Sequence, residues 1–368
     1  MTEWYSVANT DTIDSPALLV YPDRVRENIR ILKQFVPDTS RLRPHVKTNK
    51  CAEVCQMMME AGIHKFKCAT IAEAEMLALL KAPDVLLAYQ PLGPKAIRLI
   101  ELIKKFPGTS FSCVLDTADA ATFLNEQAKK ENIVVHVFID LNVGMNRTGI
   151  TPGDAFPLFR VISTLSNLKF VGLHAYDGHL RDVDLEERRK KCNGGFAGVE
   201  QLRQMIEKEA NSTIVVVAGG TPSFPIHATR TDVECSPGTF IFWDSGYGNL
   251  LKEQPFLFAA LVMTRIISLP TGETITTDLG HKAIASENPI TSRVHFLNAP
   301  ELQAIGHSEE HLVLKAPTGH RYRVGDVLYG VPYHVCPTIA LHETMIPIDN
   351  HVASGSWPVV SRKRKITV

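Results

Sequence analysis

Lys65-Phe66-Lys67-Cys68-Ala69, the segment Ile71 to Leu80, and Asp84-Val85-Leu86-Leu87-Ala88 follow one another closely, and their order decides the fold. The outer two are apolar-rich runs of strand length. The middle one places its apolar residues at helical spacing. Strand, helix and strand in so short a length read as one crossover unit, because parallel strands need such a connection. The same rhythm runs outward in both directions. Strand-like runs lie at Leu42 to Val46, Phe111 to Leu115, Val134 to Asp140, Phe170 to Ala175, Thr213 to Ala218 and Asp232 to Ser236. Helical segments between them include Ala52 to Gly62, Lys95 to Phe106, Thr117 to Glu131 and Leu185 to Ala210. Eight strands alternating with helices predict a parallel (β/α)8 barrel of TIM type. An open doubly wound sheet is the alternative, but no Gly-x-Gly-x-x-Gly follows the first run.

Near residue 250 the rhythm breaks. Short strand-like pieces follow at Leu261 to Ser268, Glu273 to Thr277, Val294 to Leu297, Leu312 to Lys315, Val327 to Tyr329 and Thr338 to His342. Gly and Pro punctuate them, as in Pro317-Thr318-Gly319, which predicts an antiparallel β domain. Pro16 to Val20 also reads as strand. The expected division is a barrel at 22–245 and a β domain formed by 246–368 with residues 1–21.

The chain has 368 residues, 45% hydrophobic and 21% charged, as a folded globular protein has. Lys plus Arg and Asp plus Glu are each 39, so no net basic field favours nucleic acid. The longest apolar run, Phe256 to Met263, is too short to span a bilayer. Met1 to Ser6 lacks a basic region ahead of an apolar one, so no secretory signal is expected. Seven cysteines without framework spacing point to reduced thiols and a cytoplasmic location.

A parallel barrel carries its active site at the C-terminal ends of its strands. Unusual polar residues do follow the runs. They are Arg43-Pro44-His45-Val46-Lys47-Thr48-Asn49-Lys50, Gly144-Met145-Asn146-Arg147-Thr148-Gly149, His174-Ala175-Tyr176-Asp177-Gly178-His179, Ala218-Gly219-Gly220-Thr221-Pro222 and Pro237-Gly238-Thr239. The last two are glycine-rich and come from the seventh and eighth strand ends, where barrels build phosphate sites. Lys47 is a candidate nucleophile, since a lysine among positive neighbours in a barrel mouth can form a Schiff base.

These motifs, together with Pro332-Tyr333-His334-Val335-Cys336-Pro337-Thr338, resemble those of the D-threonine aldolase and D-serine dehydratase family. That family has the alanine racemase-like barrel of fold type III, and the matches run in order from residue 43 to 338. Asn49 departs from the pattern, where histidine is expected. The resemblance implies that Lys47 binds pyridoxal 5'-phosphate and that Gly219, Gly220, Thr221, Gly238 and Thr239 cradle its phosphate. It also implies that Arg147 faces the cofactor's phenolic oxygen and that His174 and Tyr176 line the ring.

His334 and Cys336 are expected to hold a divalent metal. On a strand, positions i and i+2 share a face, and an N/S pair favours zinc, with manganese the other option. Asp278 and His281 are further candidates. The expected activity is a metal-assisted lyase acting on D-β-hydroxy amino acids. The aldolase, which gives glycine and an aldehyde, is placed ahead of the D-serine or D-threo-3-hydroxyaspartate dehydratase, which gives a keto acid and ammonia. A racemase is the third reading; it needs a second base, for which Tyr247, Tyr329 and Tyr333 are candidates. A homodimer is expected from the resemblance alone.

Overall fold

The computed structural model describes residues 3–368. It divides into two compact units. One contains residues 32–47, 55–238 and 363–368; the other contains the chain up to residue 31, 48–54 and 239–362.

Strand β1 (Ala17–Val20) belongs to the second unit. The first unit is built on β2 (Lys65–Cys68), β3 (Asp84–Leu87), β4 (Ser110–Leu115), β5 (Val135–Leu141), β6 (Leu168–Ala175), β7 (Val215–Ala218) and β8 (Glu234–Cys235). These seven strands are parallel and pair in sequence order. Their apolar residues are buried on both faces, as strands between a helical jacket and a lumen must be. Leu86, Val114, Phe138 and Val217 meet as one cluster. Side-chain caps fix where several helices start. The Thr70 hydroxyl accepts from Glu73 N–H at 3.1 Å ahead of the helix Ile71–Leu79, and Thr117 does the same for Ala118–Lys130.

The segment Leu42–Val46 closes this sheet. It bridges β8 on one side and β2 on the other, in parallel. Arg43 N–H donates to Cys235 at 2.9 Å, and Lys67 N–H donates to Pro44 at 2.9 Å. The expected first strand is therefore present only as isolated bridges, because Pro44 has no N–H to give a regular ladder. Near the strand starts the buried Arg43 guanidinium grips Asp84 at 2.6 and 3.0 Å and Glu234 at 2.6 Å. One cation thus ties the closing segment to β3 and β8.

The second unit centres on the long strand β9 (Ala260–Thr271). It pairs antiparallel with β1, with β10 (Thr274–Thr277) and with β14 (Val327–Pro332); β14 also pairs with β11 (Val294–Phe296). Strands β12 (Gln303–His307) and β13 (Leu312–Lys315) extend one side. On the other side β1 runs parallel to β15 (Thr344–Asp349), which carries β16 (Val352–Ala353) and β17 (Trp357–Pro358). Val7, Ile13 and Leu19 pack with Leu261, Met263, Tyr329 and Ile348, so the N-terminal segment completes this core. One expectation fails here. Residues 338–342 are not a strand, since Val335–Leu341 is a helix that His334 precedes in extended conformation. Pro337 fits its first turn, where a missing N–H leaves no bond unmade.

Candidate active site

Lys47, Arg147, His174 and Tyr176 converge at the C-terminal ends of the barrel strands. All four line one cavity of about 510 Å³, large enough for a cofactor or metabolite. The Tyr176 ring is its centrepiece. The Lys47 Nζ lies 5.6 Å from the ring centroid, the Lys67 Nζ 5.3 Å and the Arg147 Cζ 5.1 Å. Two amines and a guanidinium around one aromatic ring make a site for an anionic planar group. Two glycines give this ring its room. A Cβ on Gly178 would fall 2.1 Å from the Tyr176 hydroxyl, and one on Gly220 would fall 2.7 Å from its Cε2.

His174 also belongs to a polar chain, of which motif reading missed Asp140 and Lys67. His174 Nδ1 lies 2.7 Å from Asp140 Oδ1, and Thr148 donates to Asp140 Oδ2 at 2.9 Å. The carboxylate accepts from Nδ1–H, so Nε2 is left as acceptor toward Lys67 Nζ at 3.4 Å. Burial raises the Asp140 carboxyl, but hydrogen bonds from His174 and Thr148 outweigh it and hold the carboxyl below the ordinary range. Burial and the neighbouring Lys67 push His174 down against the pull of Asp140, which keeps the imidazole neutral. Burial, then Lys47, lowers the Lys67 amine from 10.5 to about 7. His45, Gln90 and Asp116 also line the cavity.

The glycine-rich loops do not line this cavity. Gly219 N–H donates to Ala175 at 3.0 Å, Gly220 N–H to Ser223 Oγ at 3.2 Å, and Gly238 N–H to Thr221 Oγ1 at 3.2 Å. The seventh and eighth strand ends are thereby fastened to each other through Thr221. Thr239, next in the chain after Gly238, lies with its hydroxyl 3.7 Å from the Cys336 sulfur.

His334 and Cys336 come together, though not by the geometry expected. They are the residue ahead of a helix and the second residue within it, not two positions on one strand face. Their side chains interact directly. Burial would lower the His334 imidazole, but Cys336, then Glu287 and Asp244, raise it to about 9. Glu287 Oε1 lies 2.5 Å from His334 Nδ1, and the Thr48 hydroxyl lies 3.1 Å from the Cys336 sulfur. Glu287 engages His334 Nδ1, so an ion on this histidine would take the place of the proton on Nε2. Asp278 is a structural residue, accepting from Thr264, Arg265 N–H and Ser15.

The donor set fits pyridoxal phosphate. An amine, a guanidinium and a flat aromatic surface face a cavity of suitable size, and glycine lets the ring sit against the backbone. Comparison with known proteins agrees. Residues 20–245 match the alanine racemase N-terminal domain, and 259–348 match a putative serine dehydratase domain. The 3-hydroxy-D-aspartate aldolase of Paracoccus denitrificans is 26% identical over 95% of this chain and 92% of its own. The solved D-threonine aldolase of Filomicrobium marinum is 25% identical, with a TM-score of 0.88 over 97% of this chain and 98% of its own. A solved D-threo-3-hydroxyaspartate dehydratase, a cysteine-to-alanine variant in the metal-free form, superposes with a TM-score of 0.82 at 22% identity over 94% and 97%. With its strand-end lysine, its closed parallel sheet and a match over more than half its length, the chain belongs to the alanine racemase N-terminal domain family, a family of pyridoxal-phosphate enzymes.

Proposed function

We propose that the protein is a metal-assisted pyridoxal-phosphate lyase that cleaves D-β-hydroxy amino acids by the retro-aldol route, to glycine and an aldehyde. The observation that carries this reading is the convergence of Lys47, Lys67, Arg147, His174 and Tyr176 on one cavity at the strand ends. Pyridoxal phosphate, when bound, supplies an electron sink that lowers the cost of breaking a bond at the substrate's Cα. Lys47 would hold its aldehyde, and Arg147 would offset the charge of its phenolic oxygen. Tyr176 supports the ring. Gly219, Gly220, Thr221, Gly238 and Thr239 carry the phosphate. Lys67 is neutral in a large fraction of molecules near pH 7, so its amine can take a proton at the cavity wall. Asp140 keeps His174 in the tautomer that faces Lys67.

His334 and Cys336 are the metal ligands in this reading. An imidazole and a thiolate favour zinc over harder ions, and manganese is the alternative. A metal held there would supply a Lewis acid for the substrate's β-hydroxyl. That a related dehydratase is described in a metal-free form is consistent with a metal-bound one.

The dehydratase reading is kept second because residues 259–348 resemble a serine dehydratase domain and Cys336 is a soft ligand. Product analysis with D-threonine and D-serine separates the two. Glycine and acetaldehyde from D-threonine support the aldolase. 2-Oxobutanoate and ammonia, or pyruvate from D-serine, overturn it in favour of the dehydratase. A cytoplasmic homodimer completes the proposal and is testable by light scattering and fractionation.

A further inference from the structure

Asp177 follows Tyr176 in the chain, yet it belongs to a different cluster. Asp177, Cys192, Ser223 and His227 are all 4% exposed or less. One Asp177 oxygen accepts from the Ser223 hydroxyl. The other lies 2.8 Å from His227 Nε2 and 3.5 Å from Cys192 Sγ. His227 Nδ1 lies 3.1 Å from an Arg230 nitrogen. A guanidinium can only donate, so Nδ1 carries no proton and Nε2–H donates to Asp177. Burial raises the Asp177 carboxyl, but hydrogen bonds from His227, Ser223 and Cys192 outweigh it and keep the group ionised.

The carboxylate, thiol and imidazole donor atoms lie within 4.8 Å of one another, as they would around a metal ion. The tautomer opposes that use. An ion on Nε2 needs the proton on Nδ1, where it would point at Arg230 and find no acceptor. The Cys192 thiol is also pushed up to about 12, first by burial and then by Asp177, so it is a poor source of thiolate.

A mechanical role fits better. The Ser223 hydroxyl, with its proton committed to Asp177, accepts Gly220 N–H. The His227 ring packs against Gly219, which has a φ of +80° and where a Cβ would fall 2.8 Å from His227 Cδ2. One carboxylate therefore reaches both glycines, one through a serine and the other through a histidine. We propose that Asp177 is a positioning residue for the cofactor phosphate: its buried carboxylate pins the Gly219–Ser223 turn in its phosphate-binding shape through Ser223 and His227. This inference rests on the reading of that turn as the phosphate cradle. Asparagine is an imperfect replacement: with its oxygen on His227 Nε2–H its amide donates to Ser223 Oγ, and the serine hydroxyl proton loses its carboxylate acceptor; turned the other way, its NH2 meets Nε2–H donor to donor.

The test uses the full chain, stripped of cofactor and re-equilibrated with pyridoxal phosphate or with pyridoxal, which lacks the phosphate. Bound ligand is read by absorbance after dialysis, and melting temperature is recorded in parallel. Asp177→Asn is expected to weaken pyridoxal phosphate about ten-fold or more and to leave pyridoxal unchanged. Ser223→Ala, which keeps the Asp177–His227 pair, is expected to act in the same direction and decides the matter if Asp177→Asn does not fold. An undiminished preference for the phosphorylated ligand in the variants, or equal weakening of both ligands, overturns the role of Asp177 while leaving the cradle intact. No preference in the unsubstituted protein overturns the cradle itself, and Asp177's role with it.

Discussion

The barrel unit and the sheet unit present their reactive groups by different devices. In the barrel, parallel strands all end on the same side, so Lys47, Arg147, His174 and Tyr176 reach one cavity by a single geometric rule. In the sheet unit no such rule operates. His334 and Cys336 meet because an extended residue leads into a seven-residue helix, and Glu287 steadies the histidine from elsewhere in the chain. The barrel device tolerates loop variation, since the strand ends set positions. The sheet device depends on one local turn.

If the two devices carry separate duties, single substitutions should separate cofactor from metal. The largest effect is expected from Lys47→Ala. It should lower turnover by about 10⁴-fold or more and remove the bound cofactor's visible absorbance after dialysis, while metal content is retained. An active, coloured variant would break the assignment. His334→Ala and Cys336→Ala should each cost about 10³-fold in activity, with cofactor absorbance retained and metal lost on elemental analysis. Loss of cofactor in these variants would show that the duties are not separate.

Lys67→Met is expected to cost about 10²-fold in kcat/KM. If neutral Lys67 accepts a proton, kcat/KM of the unsubstituted protein rises with pH through about 7, and this limb is absent from the variant. Stability gives an independent readout. The native lysine titrates at about 7 against 10.5 when unfolded, so the folded chain binds fewer protons between those values. The destabilisation is complete below pH 7 and fades as pH rises towards 10.5. Lys67→Met should therefore raise the melting temperature most at pH 7 and below, and least at high pH. The smallest effect is expected from Thr70→Ala, which removes a helix cap. It should cost about 1 kcal/mol in denaturant unfolding and leave both cofactor and metal in place.

The same contrast governs what could be read from the residues. Strand ends were legible because a run of apolar residues stops where a polar motif begins, as at Tyr176 and Arg147. Lys67 escaped notice because it lies within its run. The usable signal was parity: Lys65 and Lys67 share a face, and a charged side chain on a strand buried on both sides has only the lumen to enter. Lys65 there meets Glu234, and Lys67 meets His174. Asp177 shows the reverse. It stands inside a recognised motif, but it faces away from the cavity that Tyr176 enters. The helix at Val335–Leu341 was misread as strand because one or two turns of apolar residues carry too little period to tell the two apart.

Closure of the barrel by Leu42–Val46 bears on how the cofactor is acquired. This segment completes the ring only by bonding to β8 and β2 together, and Lys47 is the next residue. The amine proposed to hold the cofactor thus sits beside the keystone of the arch. An open form of the seven-stranded sheet would leave that lysine on an unanchored segment and bare the edges of β2 and β8. Yellow colour would accordingly mark chains whose ring is shut. A ligand that binds only the shut form draws the chain towards it by mass action. The pull is about 2.7 kcal/mol when free cofactor stands at roughly a hundred times its dissociation constant. Cofactor supply would then shift the balance towards the shut ring.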